Sequence, residues 1–243
     1  MSDRCDPDVI VPAIHLEGAV CLLGRFPALA GVDLTVDSGE VVALRGPNGA
    51  GKTTILRLCA GLLPLAQGEA RVLGHDLRTD QRDVRRRVGL VGHHTALYDD
   101  LTVAENVRFW GRAAGADESD CDAALVRLGL DGRLHDLPAS RLSAGQRRRA
   151  SIAAMVARRP ELWLLDEPHA GLDESGRDLI DALIAEAGGR GATVVFASHE
   201  HDRVARIDPR VVEIDGGMVR TDGVPLPAAP APAPPPEGAS DVA

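Results

Sequence analysis

The sequence predicts an α/β fold: a mostly parallel sheet with a helical insertion. Three observations predict it. Short continuous apolar runs at 41–44, 88–91, 162–165 and 193–197 have the length and pattern of strands buried on both faces. Helical stripes lie between them. Ile55, Leu58, Cys59 and Leu62 fall at i, i+3, i+4 and i+7, and Leu179, Ile180, Leu183, Ile184 and Ala187 mark a helix that ends at Gly188-Gly189. From about 101 to 159 the chain carries helical patterns and no convincing strand, which reads as an inserted helical subdomain. Strands alternating with helices point to a parallel sheet.

The remaining elements follow in order. Apolar stretches broken by glycine at 14–36 are consistent with β-hairpins, and 211–220, turning at Asp215-Gly216-Gly217, reads as a closing hairpin. Residues 225–236 are almost wholly proline and alanine, a composition for an extended, unpacked tail. The expected organisation is one domain over 1–222, with its core at about 1–94 and 160–222, the helical insertion at about 95–159, and the tail at 223–243.

Composition excludes several function classes. No apolar run approaches the ~20 residues that cross a bilayer. The N-terminal acids Asp3, Asp6 and Asp8 do not fit the basic-then-apolar layout of a signal peptide. A cytoplasmic protein is expected. The formal charge of −9, from 27 basic and 36 acidic residues, speaks against nucleic acid as a partner. Cys5, Cys21, Cys59 and Cys121 form no Cys-x-x-Cys pair, so neither a zinc site nor a disulfide framework follows. Lys52 is the only lysine among the 27 basic side chains. A lone compact ammonium marks a place where a forked guanidinium does not fit.

Lys52 sits in Gly46-Pro47-Asn48-Gly49-Ala50-Gly51-Lys52-Thr53-Thr54, a G-x-x-x-x-G-K-[ST] phosphate loop between a strand and a helix. Its backbone N–H groups and the helix N-terminus favour phosphate, Lys52 reaches the β- and γ-phosphates of ATP, and the Thr53 hydroxyl suits Mg²⁺. The strand at 162–165 delivers Asp166-Glu167 at its tip, where open α/β sheets bind ligands. There Asp166 would hold Mg²⁺ through water and Glu167 would act as general base toward the attacking water. Leu142-Ser143-Ala144-Gly145-Gln146 contains a Ser-x-x-Gln capping box, and a capped helix N-terminus is also an anion site.

These motifs, in this order, resemble the ATP-binding-cassette (ABC) ATPases across about 14–220. The pentapeptide 142–146 is similar to the family signature LSGGQ, with Ala144 replacing one glycine. The resemblance implies a RecA-like P-loop NTPase core, the ABC ATPase fold, with ATP and Mg²⁺ as cofactors. It further implies a dimer, most simply a homodimer, in which Ser143 to Gln146 of one subunit complete the site of the other. Hydrolysis would drive a separate integral membrane permease, holding the chain peripherally on the cytoplasmic face. By the same resemblance Asp173, in Ala170-Gly171-Leu172-Asp173, belongs to the D-loop linking the two sites, and His199 is the switch histidine at the γ-phosphate.

Two departures from the family pattern stand out. Where an aromatic ring usually stacks on adenine, counting back from Gly46 lands on Leu23, with Phe26 three residues later. The Q-loop segment, Val91-Gly92-His93-His94-Thr95, has no glutamine. One alignment puts His93 there. The Gly-His-Gln pattern of haem-exporter ATPases of cytochrome maturation puts His94 there, the preferred choice. Gly92-His93, Leu101-Thr102-Val103-Ala104-Glu105-Asn106 and Leu142 to Gln146 together look most like that exporter group. Exporters of drugs, lipids or polysaccharides are the alternative, followed by soluble ABC ATPases of DNA repair or translation, and last by phosphate-loop kinases or ligases. The runs Arg85 to Arg87 and Arg147 to Arg149 read as solvated faces, with docking against a partner's acidic loop as the functional option.

Overall fold

The computed structural model describes residues 11–223; Cys5, the N-terminal acids and the Pro/Ala stretch lie outside them. In chain order the elements are β1 (Ile14–Leu23), β2 (Phe26–Val36), β3 (Val41–Arg45), α1 (Lys52–Cys59), β4 (Gln67–Val72), β5 (His75–Asp76), α2 (Gln81–Arg87) and β6 (Val88–Val91). Three helices follow, α3 (Val103–Ala113), α4 (Glu118–Arg127) and α5 (Ala144–Ala157). The chain then forms β7 (Leu162–Asp166), α6 (Glu174–Gly189), β8 (Thr193–Ala197), α7 (His201–Ile207), β9 (Arg210–Asp215) and β10 (Met218–Asp222). None of the helices among the described residues is long and apolar enough to cross a membrane.

Two sheets organise the core. One has the order β2-β1-β4-β5 and is antiparallel throughout. The other has the order β10-β9-β3-β8-β7-β6, parallel except for the β9–β10 hairpin. Its central strands are buried on both faces, and the period-2 alternation of side chains divides them between two cores. Val42, Leu44, Leu162, Leu164 and Val195 pack with α1 and the antiparallel sheet. Ala43, Trp163, Leu165, Val194 and Phe196 pack with α6 and the helical insertion. The α/β architecture with an inserted helical subdomain is the one the sequence predicts.

Several details differ from the sequence reading. Helix α1 stops at Cys59, and Leu62 is 52% exposed instead of continuing the apolar stripe. Gly61 takes φ +65°, donates to the Leu58 carbonyl, and sends Leu62 N–H back to Arg57, a Schellman ending that turns the chain out of the helix. Strands β4 and β5 and helices α2 and α7 gave no clear pattern. Only two side chains of β4, Ala70 and Val72, are buried.

Candidate functional site

Four neighbouring parallel strands end at the same edge of the sheet. β3 leads into the phosphate loop, β8 into Ser198-His199, β7 into Glu167, and β6 into Gly92-His93. Adjacent strands stand about 5 Å apart, so distant segments of sequence meet here without long side chains having to reach. A cavity of about 410 Å³ opens at this edge, walled by Asn48 to Thr54, His93, Asp166 and Glu167.

The phosphate loop is held open by its own backbone. Gly46 takes φ +140°, and a Cβ there would lie 1.9 Å from the carbonyl oxygen of Ile214, so no side chain fits. The β9–β10 turn braces the loop: Gly217 N–H donates to Ala50 O at 2.9 Å, while Gly217 O accepts from Ala30 N–H at 2.9 Å. Helix α1 begins at Lys52 with no side-chain cap, which leaves first-turn N–H groups for an anion. Lys52 is buried, and its Nζ donates to Gly46 O at 2.7 Å and Pro47 O at 3.0 Å. The ammonium therefore already lies within the curl of the loop.

Opposite, the Thr53 hydroxyl donates to Asp166 Oδ2 at 2.9 Å. Glu167 follows at φ +50°, an uncommon left-handed backbone for a side-chain-bearing residue. Its Oε2 lies 2.9 Å from Nδ1 of His199, a ring whose side chain is 70% exposed. The strand that ends in Asp166 thus offers one carboxylate toward Thr53 and the next toward His199.

Arg148 is the residue that sequence reasoning misread. It belongs to a charge run expected to face solvent, yet it is only 5% exposed. Its guanidinium donates to the carbonyls of Gly92, Asp166 and Glu167, tying α5 to the ends of β6 and β7. Burial pulls its pKa below the ordinary arginine range, with Asp166 and Glu167 pulling back. Helical periodicity was the available signal, since three consecutive helical residues cannot share one face. Arg147 instead pairs with Asp99, and Arg149 with the Leu128 carbonyl.

The two histidines part company. His93 borders both the phosphate-loop cavity and a neighbouring groove of about 810 Å³, whereas His94 borders only the groove. Of the two, His93 is thus the one beside the phosphate loop. At the hairpin tip Leu23 pairs directly across from Phe26, which puts both side chains on one face of the ribbon. Leu23 lines the phosphate-loop cavity; Phe26 is 80% exposed and stands outside its wall.

Ser143 caps α5 with the full capping box: its Oγ accepts from Gln146 N–H at 3.2 Å, and Gln146 Oε1 accepts from Ser143 N–H at 2.9 Å. Gly145 is pressed against the segment Ala170 to Asp173, where a Cβ would come within 2.8 Å of Gly171 O. None of Leu142 to Gln146 lines the chain's own phosphate-loop cavity. Asp173 caps α6, accepting from Gly176 N–H at 2.8 Å and the Ser175 hydroxyl at 3.2 Å.

Comparison with known proteins agrees with this geometry. The ABC transporter family model matches residues 29–170. A cytochrome c biogenesis ATP-binding export protein, CcmA, of Bradyrhizobium diazoefficiens is 40% identical over 197 residues, covering 81% of this chain and 95% of the relative. A putative ABC transporter ATP-binding protein of Streptomyces avermitilis is 39% identical over 220 residues, covering 89% of this chain and 39% of the relative. Among solved structures, the dimeric MJ0796 bacterial ABC transporter cassette superposes with a TM-score of 0.80 at 27% identity, covering 86% of this chain and 97% of that one. This chain belongs to the ABC transporter family, as an ATP-binding subunit that hydrolyses ATP.

Proposed function

We propose that two copies of this chain sandwich two ATP molecules and that hydrolysis resets the pair to drive export through a separate permease. The observation that carries the dimer is the placement of Ser143 to Gln146. They form a capped helix N-terminus with an exposed serine, outside the phosphate-loop cavity of their own chain. An anion site with no anion to hold within its own subunit has its work across an interface.

In the closed dimer Lys52 leaves the carbonyls of Gly46 and Pro47 for the β- and γ-phosphates, and Gly49 to Thr54 supply backbone N–H donors. Glu167 takes the proton of the attacking water, and His199, beside it, holds the γ-phosphate. Thr53 and Asp166 present two hard oxygen donors 2.9 Å apart at the cavity rim, the donor type that Mg²⁺ takes alongside phosphate. Bound there, Mg²⁺ would neutralise charge on the β- and γ-phosphate oxygens. Adenine would lie against Leu23 and the exposed ring of Phe26. Asp173 would reach the partner copy. Catalysis is positioning and charge neutralisation at an in-line displacement.

The domain proposed is 1–222, with its core at about 1–94 and 160–222 and the helical subdomain at about 95–159. The 810 Å³ groove between them, bordered by Arg57, Arg82, Arg85, Arg86 and Arg158, fits an acidic segment of the permease. Docking there would hold the chain on the cytoplasmic face of the membrane.

For cargo, the likeness to the CcmA protein of Bradyrhizobium diazoefficiens along 95% of that protein's length favours export in cytochrome c biogenesis, with haem as the cargo. The second reading is an exporter of drugs, lipids or polysaccharides. The Streptomyces avermitilis relative matches more of this chain and is named for no cargo, which leaves this reading open. Two experiments test the proposal. Glu167→Gln protein should sediment as a dimer with MgATP and a monomer with ADP; a monomer in both would remove the sandwich. A strain lacking the chain should lose haem-bearing cytochrome c, restored by wild type and not by Glu167→Gln; unchanged cytochrome would transfer the cargo to the second reading.

A further inference from the structure

Behind the nucleotide edge lies a buried polar cluster that the hydrolytic scheme does not use. His169 stands two residues past Glu167, with its side chain only 2% exposed. Its Nε2 lies 2.8 Å from Oδ1 of Asp181 on α6. The other carboxylate oxygen, Oδ2, accepts from Nη1 of Arg203 at 2.8 Å. Arg203 belongs to α7, which begins two residues past His199, and its buried guanidinium also pairs with Asp178 and Glu174.

The carboxylate assigns the imidazole proton to Nε2, which leaves Nδ1 as a bare lone pair, buried and without a partner. Burial pushes the His169 pKa below the ordinary histidine range, against the pull of Asp181. A neutral donor is thus fixed in place at the cost of one desolvated lone pair. An apolar side chain would fill the same volume without that cost, so filling space does not account for an imidazole here.

Two chain segments meet in this cluster. One carries Glu167 and His169; the other carries His199 and Arg203. Their backbones meet where Glu167 N–H donates to Ala197 O at 2.9 Å at the end of the β7–β8 ladder. Their side chains touch at the exposed contact between Glu167 and His199, 2.9 Å long, and again inside, where Asp181 gives one oxygen to each. The ladder bond fixes the backbone only, and the exposed side-chain contact would by itself be weak, because the His199 ring is largely in solvent. We propose that His169 is a positioning residue for ATP hydrolysis, which through Asp181 and Arg203 fixes the segment bearing Glu167 against the segment bearing His199. This rests on the reading of Glu167 and His199 as the hydrolytic pair.

The test is single-turnover and steady-state MgATP hydrolysis by the full chain, well below the melting temperature of each variant. His169→Leu should lower kcat about tenfold while KM for ATP changes by less than about twofold, the signature of lost positioning. His169→Gln, whose amide donor reaches where Nε2 does, should recover most of the rate. In a His199→Ala background, His169→Leu should cost nothing further, because the relationship it maintains is already gone. Should the leucine variant not fold, Asp181→Asn gives the same comparison with and without His199. Unchanged kcat, a glutamine variant as poor as leucine, or fully multiplying His169 and His199 effects would each overturn the positioning role. Retained turnover in Glu167→Gln, run alongside, would overturn the assignment of the base on which it rests.

Discussion

Nη1 of Arg148 lies 2.5 Å from the carbonyl oxygen of Gly92, so one guanidinium joins the helix that starts at Ser143 to the loop that carries His93. The same side chain satisfies the backbone of Asp166 and Glu167. A forked donor suits this place because several carbonyls converge on it from the ends of two adjacent parallel strands. Arg148→Met should therefore destabilise the protein by about 2–4 kcal/mol, the cost of stranding buried acceptors. Arg148→Lys should recover only part, since an ammonium cannot span them all. Urea unfolding measures both. A methionine variant as stable as wild type would mean that water takes over these carbonyls.

Lys52 and Glu167 should fail in different ways. Glu167→Gln should cut turnover by about 10²-fold or more with nucleotide binding intact, the scale of a lost general base. Lys52→Ala should weaken binding itself, and Lys52→Arg should not restore it, because the cradle between the Gly46 and Pro47 carbonyls admits a point charge and not a planar fork. Titration with a fluorescent nucleotide, beside the ATPase assay, separates the two. Wild-type turnover in Glu167→Gln would remove Glu167 from the chemistry.

What the sequence made legible was whatever is written in contiguous residues. The strands around Leu44, Leu164 and Val195 carry continuous apolar runs because both of their faces are covered. The phosphate loop and the cap at Ser143 are local geometries with local signatures. β4 was hidden because most of its side chains face solvent, and α7 because it is short and mostly polar. Arg148 and His169 were hidden for a different reason. Their partners come from other segments of the chain: helical periodicity separates Arg147 to Arg149 onto different faces without showing what Arg148 meets, and nothing beside His169 in sequence shows that its imidazole turns inward.

The position of the missing glutamine can be decided by alanine substitution. His93 borders both the phosphate-loop cavity and the arginine-bordered groove, so His93→Ala should lower basal ATPase activity and its stimulation by the permease together. His94 borders the groove alone, so His94→Ala should spare basal activity and reduce stimulation only. His93→Gln should preserve both, since an amide can supply the same hydrogen bond as a neutral imidazole. If His94→Ala loses basal activity while His93→Ala keeps it, the two roles are exchanged.

Asp173 caps α6, and its proposed second role, reaching the partner copy, can be separated from the cap. Its carboxyl is held below the usual aspartate range, first by the Gly176 N–H and then by the Ser175 hydroxyl. A folded-state value below the unfolded one means the charged cap stabilises the fold above the unfolded pKa, ~3.9. That contribution disappears as pH falls through the lower folded value. Asp173→Asn keeps a good N-cap and removes the charge, whereas Asp173→Ala removes both. The melting temperature should therefore be highest for wild type at neutral pH, close behind for asparagine, and lowest for alanine. The gap between wild type and asparagine should narrow below about pH 4. An interface role adds a second expectation, that Asp173→Asn loses MgATP-dependent dimerisation or turnover while its ADP-bound monomer melts only slightly below wild type. If the asparagine protein dimerises and hydrolyses ATP normally, Asp173 is a helix cap and the contact across the dimer belongs to another residue.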